Sequence, residues 1–529
     1  MKEKFMFQKI AFLLFACLLY SASANADQPT LPKISGPIAE TPSSHAFLSS
    51  EHLNEPLDLI KYGYVEEEYL VSGDARVYDL PDVAGAPPRS LASGPYATRI
   101  LIRRPKDDVK FNGTAIVEPL NPSTPVDLPI MWAEAHLQMM ADGYAWVGVT
   151  IKPNTIKALK KFDPVRYAAL AMPHPLGGPA CNPADINSWA EPTTPADEMG
   201  LAWDILSEIG MLLKTKSADN PLTRPAERLY MTGQSQTANY SRTYATLFGR
   251  VEKGPKGVAL YDGYFYSGSP PVQIPINQCW KNSKSNVDFF EHEKSPSSNG
   301  AQLTGPAGVP VIEILAQGDI GTNTGTERPD SDKAPDLFRR YEVAGAPHVD
   351  LWETKSFASD QDTLRAAGVP RPTANVDAAQ CEPQNVTRSD FPTRYVFDAA
   401  LRILDKWVRN DSTAPHASRL ELQPGAAGDF QPDRAFVLDE YGNAKGGVPT
   451  PYIRVPTARW IGAMTPGLAC MGKGYTVKFD KSALKKLYPT HQDYVSKIQK
   501  NVETLESQGW LTPTAGAAII DEAAQSKIP

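Results

Sequence analysis

RLYMTGQSQTANYSRTY, residues 228–244, runs from an apolar segment into Gly233-Gln234-Ser235-Gln236-Thr237 and then into a pattern typical of a helix. A serine in a tight strand-to-helix turn is the nucleophile of a nucleophile elbow, for which the usual pattern is Gly-x-Ser-x-Gly. Here Thr237 replaces the second glycine. The pentapeptide is weak evidence by itself, because Gly-x-Ser triplets also arise by chance in a chain of 529 residues.

The segments around this stretch alternate between strand-like and helix-like patterns. YVEEEYLVSGDARVYDL, starting at Tyr64, and YATRILIRR, residues 96–104, are rich in β-branched and aromatic residues and predict antiparallel strands. We predict further strands at 113–120, 144–150, 227–233, 257–263, 309–319 and just before His348, and helices at 131–143, 199–215 and 236–249.

This order predicts an α/β fold with a mostly parallel, doubly wound sheet, large cap or lid insertions and a C-terminal extension. Three irregular segments, 173–197, 267–306 and 359–390, leave the pattern on the side where the loops would build a site. We therefore predict one α/β-hydrolase domain over residues 27–529, with these three segments as a cap and with a tail at 415–529.

The chain order of the site is a further constraint on this prediction. A serine nucleophile needs a base and an acid, which follow in the order Ser, acid, His in an α/β hydrolase, each after a strand. Of the histidines after Ser235, His348 follows a predicted strand and is the expected base. Asp319, four residues beyond the strand VPVIEIL at 309–315, is the expected acid, and Asp262, at the end of GVALYD, is the alternative.

The donors for a developing oxyanion are expected on two segments. The helix that starts at Gln236 directs its amides and its positive dipole end towards Ser235, so the Gln236 amide is the first candidate. The second donor is expected in the loop after residues 113–120. Pro122 has no N–H group, which leaves Asn121 or Ser123.

A family resemblance extends from about Tyr64 to the C-terminus. The chain resembles the exported bacterial group called alpha/beta hydrolase domain-containing proteins. The resemblance rests on these motifs: FNGTAIVEPLNPS, GYAWVGVT, DPVRYAAL, GQSQTANY, YDGYFYSG, RPDSD, YEVAGAPH, GGVPTPYIRVPTA and LYPTHQDYV.

The resemblance implies a serine esterase-like hydrolase, with Ser235 at the family's nucleophile position and His348 at its histidine position. The family's acid segment usually reads Glu-x-Asp, and here Gln317 stands at the glutamate position while Asp319 keeps the aspartate. That departure favours Asp319 as the acid. The loop EPLNPS also departs from the more frequent Trp-Leu-Asn-Val-Ser form, so a different pocket near the oxyanion hole is expected. Because the group is heterogeneous in substrate, the resemblance implies a reaction class and not a substrate.

The first 26 residues are typical of a cleavable secretory signal peptide. Three lysines precede an apolar run at 10–20, and Ala-Asn-Ala at 24–26 supplies small residues for cleavage. We therefore expect a secreted or periplasmic protein. The formal net charge is -7 and no basic run is present, so nucleic acid is not an expected partner. No later apolar stretch approaches 18 residues, so we expect no membrane span after cleavage.

Four cysteines follow the predicted signal peptide. They are widely spaced and lack the Cys-x-x-Cys spacing of a zinc site, so we predict two disulfides, no metal and no organic cofactor. We expect Cys279 to pair with Cys381, because both segments flank the strand that leads to Asp319 and the loop that carries His348. Cys181 then pairs with Cys470 by elimination.

These residues predict an enzyme that cleaves carboxylic esters of small molecules through an acyl-enzyme intermediate. Two alternatives remain open: an acyltransferase that uses the same site, and an exported binding protein that uses the fold without catalysis. Aromatic residues in or near the predicted cap are candidates for an acyl or aryl pocket, namely Trp189, Tyr264, Tyr266 and Trp280.

Overall fold

The computed structural model describes residues 28–79, 86–175, 196–269, 274–278, 306–323, 328–369, 381–424, 435–464, 470 and 472–529. The predicted signal peptide lies outside these residues, as do Cys181, Trp189, Cys279 and Trp280 and most of the first two predicted cap segments. The cap therefore stays a prediction. Among the described residues, no helix combines the length and the apolar character needed to cross a membrane.

A mixed, mostly parallel ten-stranded sheet forms the centre of the molecule. The strands are β1 (Lys33–Ser35), β2 (Tyr64–Asp79), β3 (Arg89–Pro105), β4 (Thr114–Pro119), β5 (Ala145–Val149), β6 (Arg228–Gln234), β7 (Gly263–Ser267), β8 (Val311–Ala316), β9 (Ser331–Lys333) and β10 (Asp336–Val343). Their order is β1-β2-β3-β5-β4-β6-β7-β8-β10-β9. The run from β5 to β10 is parallel throughout, and the pairs outside it are antiparallel.

Helices and a small second sheet accompany the main sheet. The helices are α1 (Ile130–Ala141), α2 (Pro153–Phe162), α3 (Ala202–Lys214), α4 (Gln236–Thr243), α5 (Gln317–Asn323), α6 (Asp360–Ala367), α7 (Arg394–Val408), α8 (Pro451–Arg454), α9 (Lys481–Leu487), α10 (His491–Ser507) and α11 (Pro513–Gln525). The second sheet has the order β11-β13-β12, formed by Thr387–Arg388 (β11), Tyr475–Lys478 (β13) and Ala458–Ile461 (β12).

The predicted α/β fold is confirmed, with one strand displaced along the chain. The strand expected at 257–263 instead begins at Gly263 and is β7. GVALYD is a mostly apolar run, but in the structure these residues form bends that precede the sheet. The strand is formed instead by the following residues, Gly-Tyr-Phe-Tyr-Ser. Every residue of β7 is buried between two parallel neighbours, which explains why a short aromatic run can form a central strand.

The two edges of the main sheet are short. At one edge, β1 pairs only with residues Leu70 to Ser72 of the 16-residue strand β2. Elsewhere along β2, the Arg76 amide donates to the Asp204 side chain and the Asn277 side chain donates to the Tyr78 carbonyl. At the other edge, β9 has three residues.

A disulfide in the C-terminal part joins Cys381 to Cys470 across 89 residues of chain. The expected pairs Cys279–Cys381 and Cys181–Cys470 are therefore wrong. The reason is packing: both bonded cysteines are buried in one apolar cluster with Ile461 and Tyr475 of the second sheet. The bond ties the segment after α6 to the second sheet.

We expect a Cys381→Ser/Cys470→Ser double variant to melt at a lower temperature than the wild type. Closing a loop of this length stabilises by about 4–5 kcal/mol in the chain-entropy model, which is an upper value. Thermal denaturation of both proteins measures the difference, and peptide mapping of the unreduced wild type should recover the two cysteines in one linked pair. Recovery of Cys381 linked to Cys279 would contradict the structure.

Candidate active site

Ser235 lies between the last residue of β6 and the first residue of α4. Its backbone has φ 55° and ψ -119°, which is a positive φ at a residue with a side chain. Such a conformation costs about 1–3 kcal/mol and persists only where the surroundings enforce it. The strained turn and the strand-to-helix position are the geometry that the sequence predicts for a nucleophile elbow.

The neighbours of Ser235 enforce this turn. A Cβ atom at Gly233 would lie 2.4 Å from the Thr237 carbonyl oxygen, so only glycine allows the helix to cross the strand here. The Thr237 hydroxyl donates to the Gln234 carbonyl at 3.0 Å and accepts from the Gln234 amide at 3.2 Å. The Ser235 amide donates to Ser267 on β7 at 2.9 Å. Thr237 therefore braces the turn, which explains how it replaces the usual glycine.

Asp319 and His348 meet beyond the ends of the neighbouring parallel strands β8 and β10. The Asp319 Oδ1 atom lies 2.6 Å from Nδ1 of His348, and its Oδ2 atom accepts from the Ala316 amide at 2.8 Å. Burial lowers the pKa of His348, but the charge of Asp319 and its hydrogen bond outweigh burial, so the pKa is raised above its ordinary value. The pair therefore holds the imidazole with Nδ1 engaged and Nε2 available for proton transfer.

Two glycines determine the space around the His348 ring. A Cβ atom at Gly268, which has φ +60°, would lie 2.9 Å from both Cε1 and Nδ1 of His348. A Cβ atom at Gly472 would lie 3.7 Å from the other side of the residue, which is ordinary contact. Sequence reasoning missed Gly268, because it placed the strand at 257–263 and assigned residues 267–306 to the cap, whereas β7 ends at Ser267 and Gly268 follows it directly.

Gln234 also contacts the histidine and was not singled out from the sequence. Its Nε2 atom donates to the His348 carbonyl at 2.9 Å and lies 3.3 Å from the ring Nε2. The Ser235 hydroxyl makes no hydrogen bond with His348 or with another described residue. Catalytic hydrogen bonds are often long without substrate and shorten in the reacting complex.

The residues expected to supply the oxyanion donors differ in the hydrogen bonds that their backbone amides make. Gln236 is the first residue of α4, so its amide belongs to the positive end of that helix. The Asn121 amide donates to Leu128, and the Ser123 amide donates to the Asn121 side chain. Both of these amide hydrogens therefore point at other acceptors. The Asn121 side chain instead donates to the Gln234 carbonyl at 2.8 Å, which joins the loop to the turn.

Residues 34–521 match the family described as Alpha/beta hydrolase domain. The chain belongs to this alpha/beta hydrolase domain family. No curated protein matches it.

Solved structures with partial similarity include three serine hydrolases or esterases. A serine hydrolase without lid from Xanthomonas campestris has 10% identity over 52% of this chain and 88% of its own, with a TM-score of 0.24. A serine hydrolase homologue from Coxiella burnetii has 10% identity over 52% and 92%, with a TM-score of 0.27. A glucuronoyl esterase from Solibacter usitatus has 11% identity over 53% and 77%, with a TM-score of 0.27. At these values, none of the three bears on the reaction of this hydrolase-family chain.

Asp262 lies away from the elbow of this alpha/beta hydrolase, and two of the pocket aromatics are buried within the sheet. Asp262 precedes β7, so it lies near the amino-terminal ends of the parallel strands, whereas Ser235 follows the carboxyl end of β6. There Asp262 accepts from Lys214 at 2.6 Å and from the Leu229 amide at 2.8 Å. Asp262 was predicted as the alternative acid because the strand was expected to end near this residue, and the prediction is wrong because the strand begins after it. Tyr264 and Tyr266 lie in β7 and are fully buried, so they are core residues.

We expect Asp319→Asn to lower ester turnover by about 10³-fold or more, because only a carboxylate at this position fixes the imidazole tautomer. The base must be neutral to accept a proton, so activity falls as the pH drops through the raised pKa of His348. Removing the Asp319 charge lowers that pKa, and the acidic limb of the residual activity should move to lower pH. The measurement is kcat/KM against pH.

Asp262→Asn is the matched control for this carboxylate. It removes the ion pair with Lys214, so a small loss of thermal stability is expected while turnover stays near the wild type. A larger loss of turnover in Asp262→Asn than in Asp319→Asn would contradict the assignment.

We expect Gly268→Ala to lower turnover by about 10²-fold or more, because its new methyl group displaces the His348 ring and misplacement by about 1 Å has an effect of this size. Gly472→Ala adds the same methyl group at ordinary contact distance from His348 and should keep most of the activity. The measurement is kcat of both variants after circular dichroism has shown that they are folded. Equal effects of the two substitutions would contradict the steric argument.

Proposed function

We propose that this chain is an exported serine hydrolase that cleaves carboxylic esters of small molecules through an acyl-enzyme. The observation that carries the proposal is a strained serine at a strand-to-helix turn together with a hydrogen-bonded Asp319–His348 pair. All three residues follow the carboxyl ends of parallel strands. The lysines and the apolar run within residues 1–26 support export.

In the proposed first step, His348 Nε2 takes the proton of the Ser235 hydroxyl while Oγ attacks the ester carbonyl carbon. The tetrahedral intermediate collapses when the bond to the leaving oxygen breaks, and His348 returns its proton to the leaving alcohol. Water then repeats the sequence at the acyl-enzyme, which releases the carboxylic acid and restores Ser235. Asp319 stabilises the imidazolium that forms in each half of the reaction.

The Gln236 amide is the proposed first donor to the oxyanion. It belongs to the first turn of α4, where the helix dipole favours negative charge. For the second donor, the loop after β4 would have to release either the Asn121–Leu128 bond or the Ser123–Asn121 bond. Formation of the tetrahedral intermediate can favour such a release, because its negatively charged oxygen accepts stronger hydrogen bonds than a neutral carbonyl does.

A non-catalytic binding protein is the second candidate. The observation in its favour is that, within the described residues, the Ser235 hydroxyl makes no hydrogen bond with His348. The side-chain Nε2 atom of Gln234 instead lies 3.3 Å from the ring Nε2 of His348. In that case Ser235 would serve ligand binding alone. The acyl-enzyme proposal and this candidate differ in whether Ser235 is needed for turnover.

We expect Ser235→Ala to lower the turnover of p-nitrophenyl esters by about 10³-fold or more, because the nucleophile is essential to the acyl-enzyme route. The hydroxyl of the half-buried Ser235 contributes little to packing, so the melting temperature should change little. A panel of esters with increasing acyl length measures both the loss and the acyl preference.

Ser241→Ala is a matched control on the same helix. Its buried hydroxyl donates to the Thr232 carbonyl at 2.8 Å, so the substitution should lower stability by about 1 kcal/mol and leave turnover intact. Near-wild-type turnover in purified Ser235→Ala would remove the serine hydrolase proposal. Absence of turnover of every ester by the wild type would favour the binding protein.

A further inference from the structure

Three buried carboxyl groups lie together next to the segment that carries His348. Glu134 comes from α1, Asp350 follows His348 by two residues, and Glu353 begins a short 3₁₀ helix, Glu353–Ser356. One oxygen atom from each of the three lies within 4.8 Å of the others. The three residues are 4%, 2% and 2% exposed. Nothing in the proposed ester reaction uses this cluster.

Oxygen atoms in this cluster lack hydrogen-bond donors. Oε2 of Glu134, Oδ2 of Asp350 and Oε1 of Glu353 are buried and make no hydrogen bond with the described residues. Oε1 of Gln234 is also buried without a donor, and Gln234 lines the same small cavity as the three carboxyl groups. The cavity has a volume of about 10 Å³, which is enough for about one water-sized particle.

The positive side chains near the cluster make their hydrogen bonds elsewhere. Arg394 donates to the Tyr395 hydroxyl and to Glu522. Arg388 donates to the Val349 carbonyl at 3.3 Å. Within the part of the chain that the structure describes, no ion pair joins a lysine or arginine to Glu134, Asp350 or Glu353. Buried carboxylates of this kind are stable when they are paired with a cation or coordinate a metal ion.

We propose that Glu134, Asp350 and Glu353 bind one calcium ion beside the cavity that Gln234 also lines. Ca²⁺ takes carboxylate and amide oxygens in flexible geometry, with mono- or bidentate carboxylates. Mg²⁺ usually keeps several waters, for which this cavity has no room. The spacing of residues 134, 350 and 353 along the chain resembles no metal motif, and the prediction of no metal considered only the spacing of the cysteines.

The bound ion would have a structural effect on the proposed hydrolase. It would join α1 to the segment that follows His348, because its ligands come from both. We therefore expect calcium to raise the melting temperature of the full-length protein. The effect does not depend on ester hydrolysis, so this proposal and the proposed function can fail separately.

The test starts from full-length protein that has been treated with EDTA and dialysed into metal-free buffer. Addition of CaCl₂ at about 1 mM, roughly a hundred times the expected Kd, should raise the melting temperature by about 2–4 °C. Glu134→Gln/Glu353→Gln keeps the side-chain shapes but removes two ligand charges, and it should lose this rise. Isothermal titration with CaCl₂ should give one site for the wild type and none for the double variant.

Asp398→Asn is the matched control, because Asp398 is a buried carboxyl group near Arg394 with an oxygen that also lacks a donor. It lies outside the cluster of possible ligands and should keep the full calcium response. ZnCl₂ provides a second control, since His45, His52 and Asp362 form another group of possible ligands with the imidazole nitrogens that zinc prefers.

Three outcomes would overturn the proposal. In the first, calcium does not change the melting temperature of the wild type, and the double amide variant has a higher melting temperature than the wild type in metal-free buffer. That result would mean that the carboxyl groups share protons instead of binding an ion. The second is a full calcium response in the double variant, which would place the ion elsewhere. The third is a response to ZnCl₂ alone that Asp362→Asn abolishes.

Discussion

The backbone of Ser235 is held at φ 55°, and the other parts of the candidate site are arranged around this strained residue. A conformation of this kind costs about 1–3 kcal/mol, so the surrounding contacts must exceed that value. They include the close crossing at Gly233, the paired hydrogen bonds between Thr237 and Gln234, and the bond from the Ser235 amide to β7. Because β7 also leads to Gly268, the same strand positions the serine and limits the space for His348.

Much of this arrangement could be predicted from the sequence because parallel strands place their carboxyl ends at one edge. Ser235, Asp319 and His348 each follow a strand, and the structure joins Asp319 to His348 at 2.6 Å. The order along the chain was therefore enough to select these residues from many other serines, carboxylates and histidines. The catalytic roles of Ser235, Asp319, His348 and the oxyanion donors stay predictions.

Other features depend on contacts that sequence patterns do not contain. GVALYD and GYFYS are both apolar, and only burial between neighbouring strands determines that the second enters the sheet, which moves Asp262 away from the site. Cys381 and Cys470 are joined within an apolar cluster that includes Ile461 and Tyr475 of the second sheet, and the two cysteines are distant along the chain. The same holds for Glu134 and Glu353, whose meeting requires α1 to pack against the segment after His348.

The short edges of the main sheet also affect how the chain behaves towards its own copies. An exposed strand edge is a template on which another polypeptide can add a strand, and long flat edges lead to aggregation. Here one edge strand, β9, contains Asp332 and Lys333 among its three residues, while the outer edge of β2 is partly covered by side chains from Asp204 and Asn277. The charged residues of β9 and the side-chain hydrogen bonds along β2 therefore oppose the addition of a strand from a second molecule at these two edges.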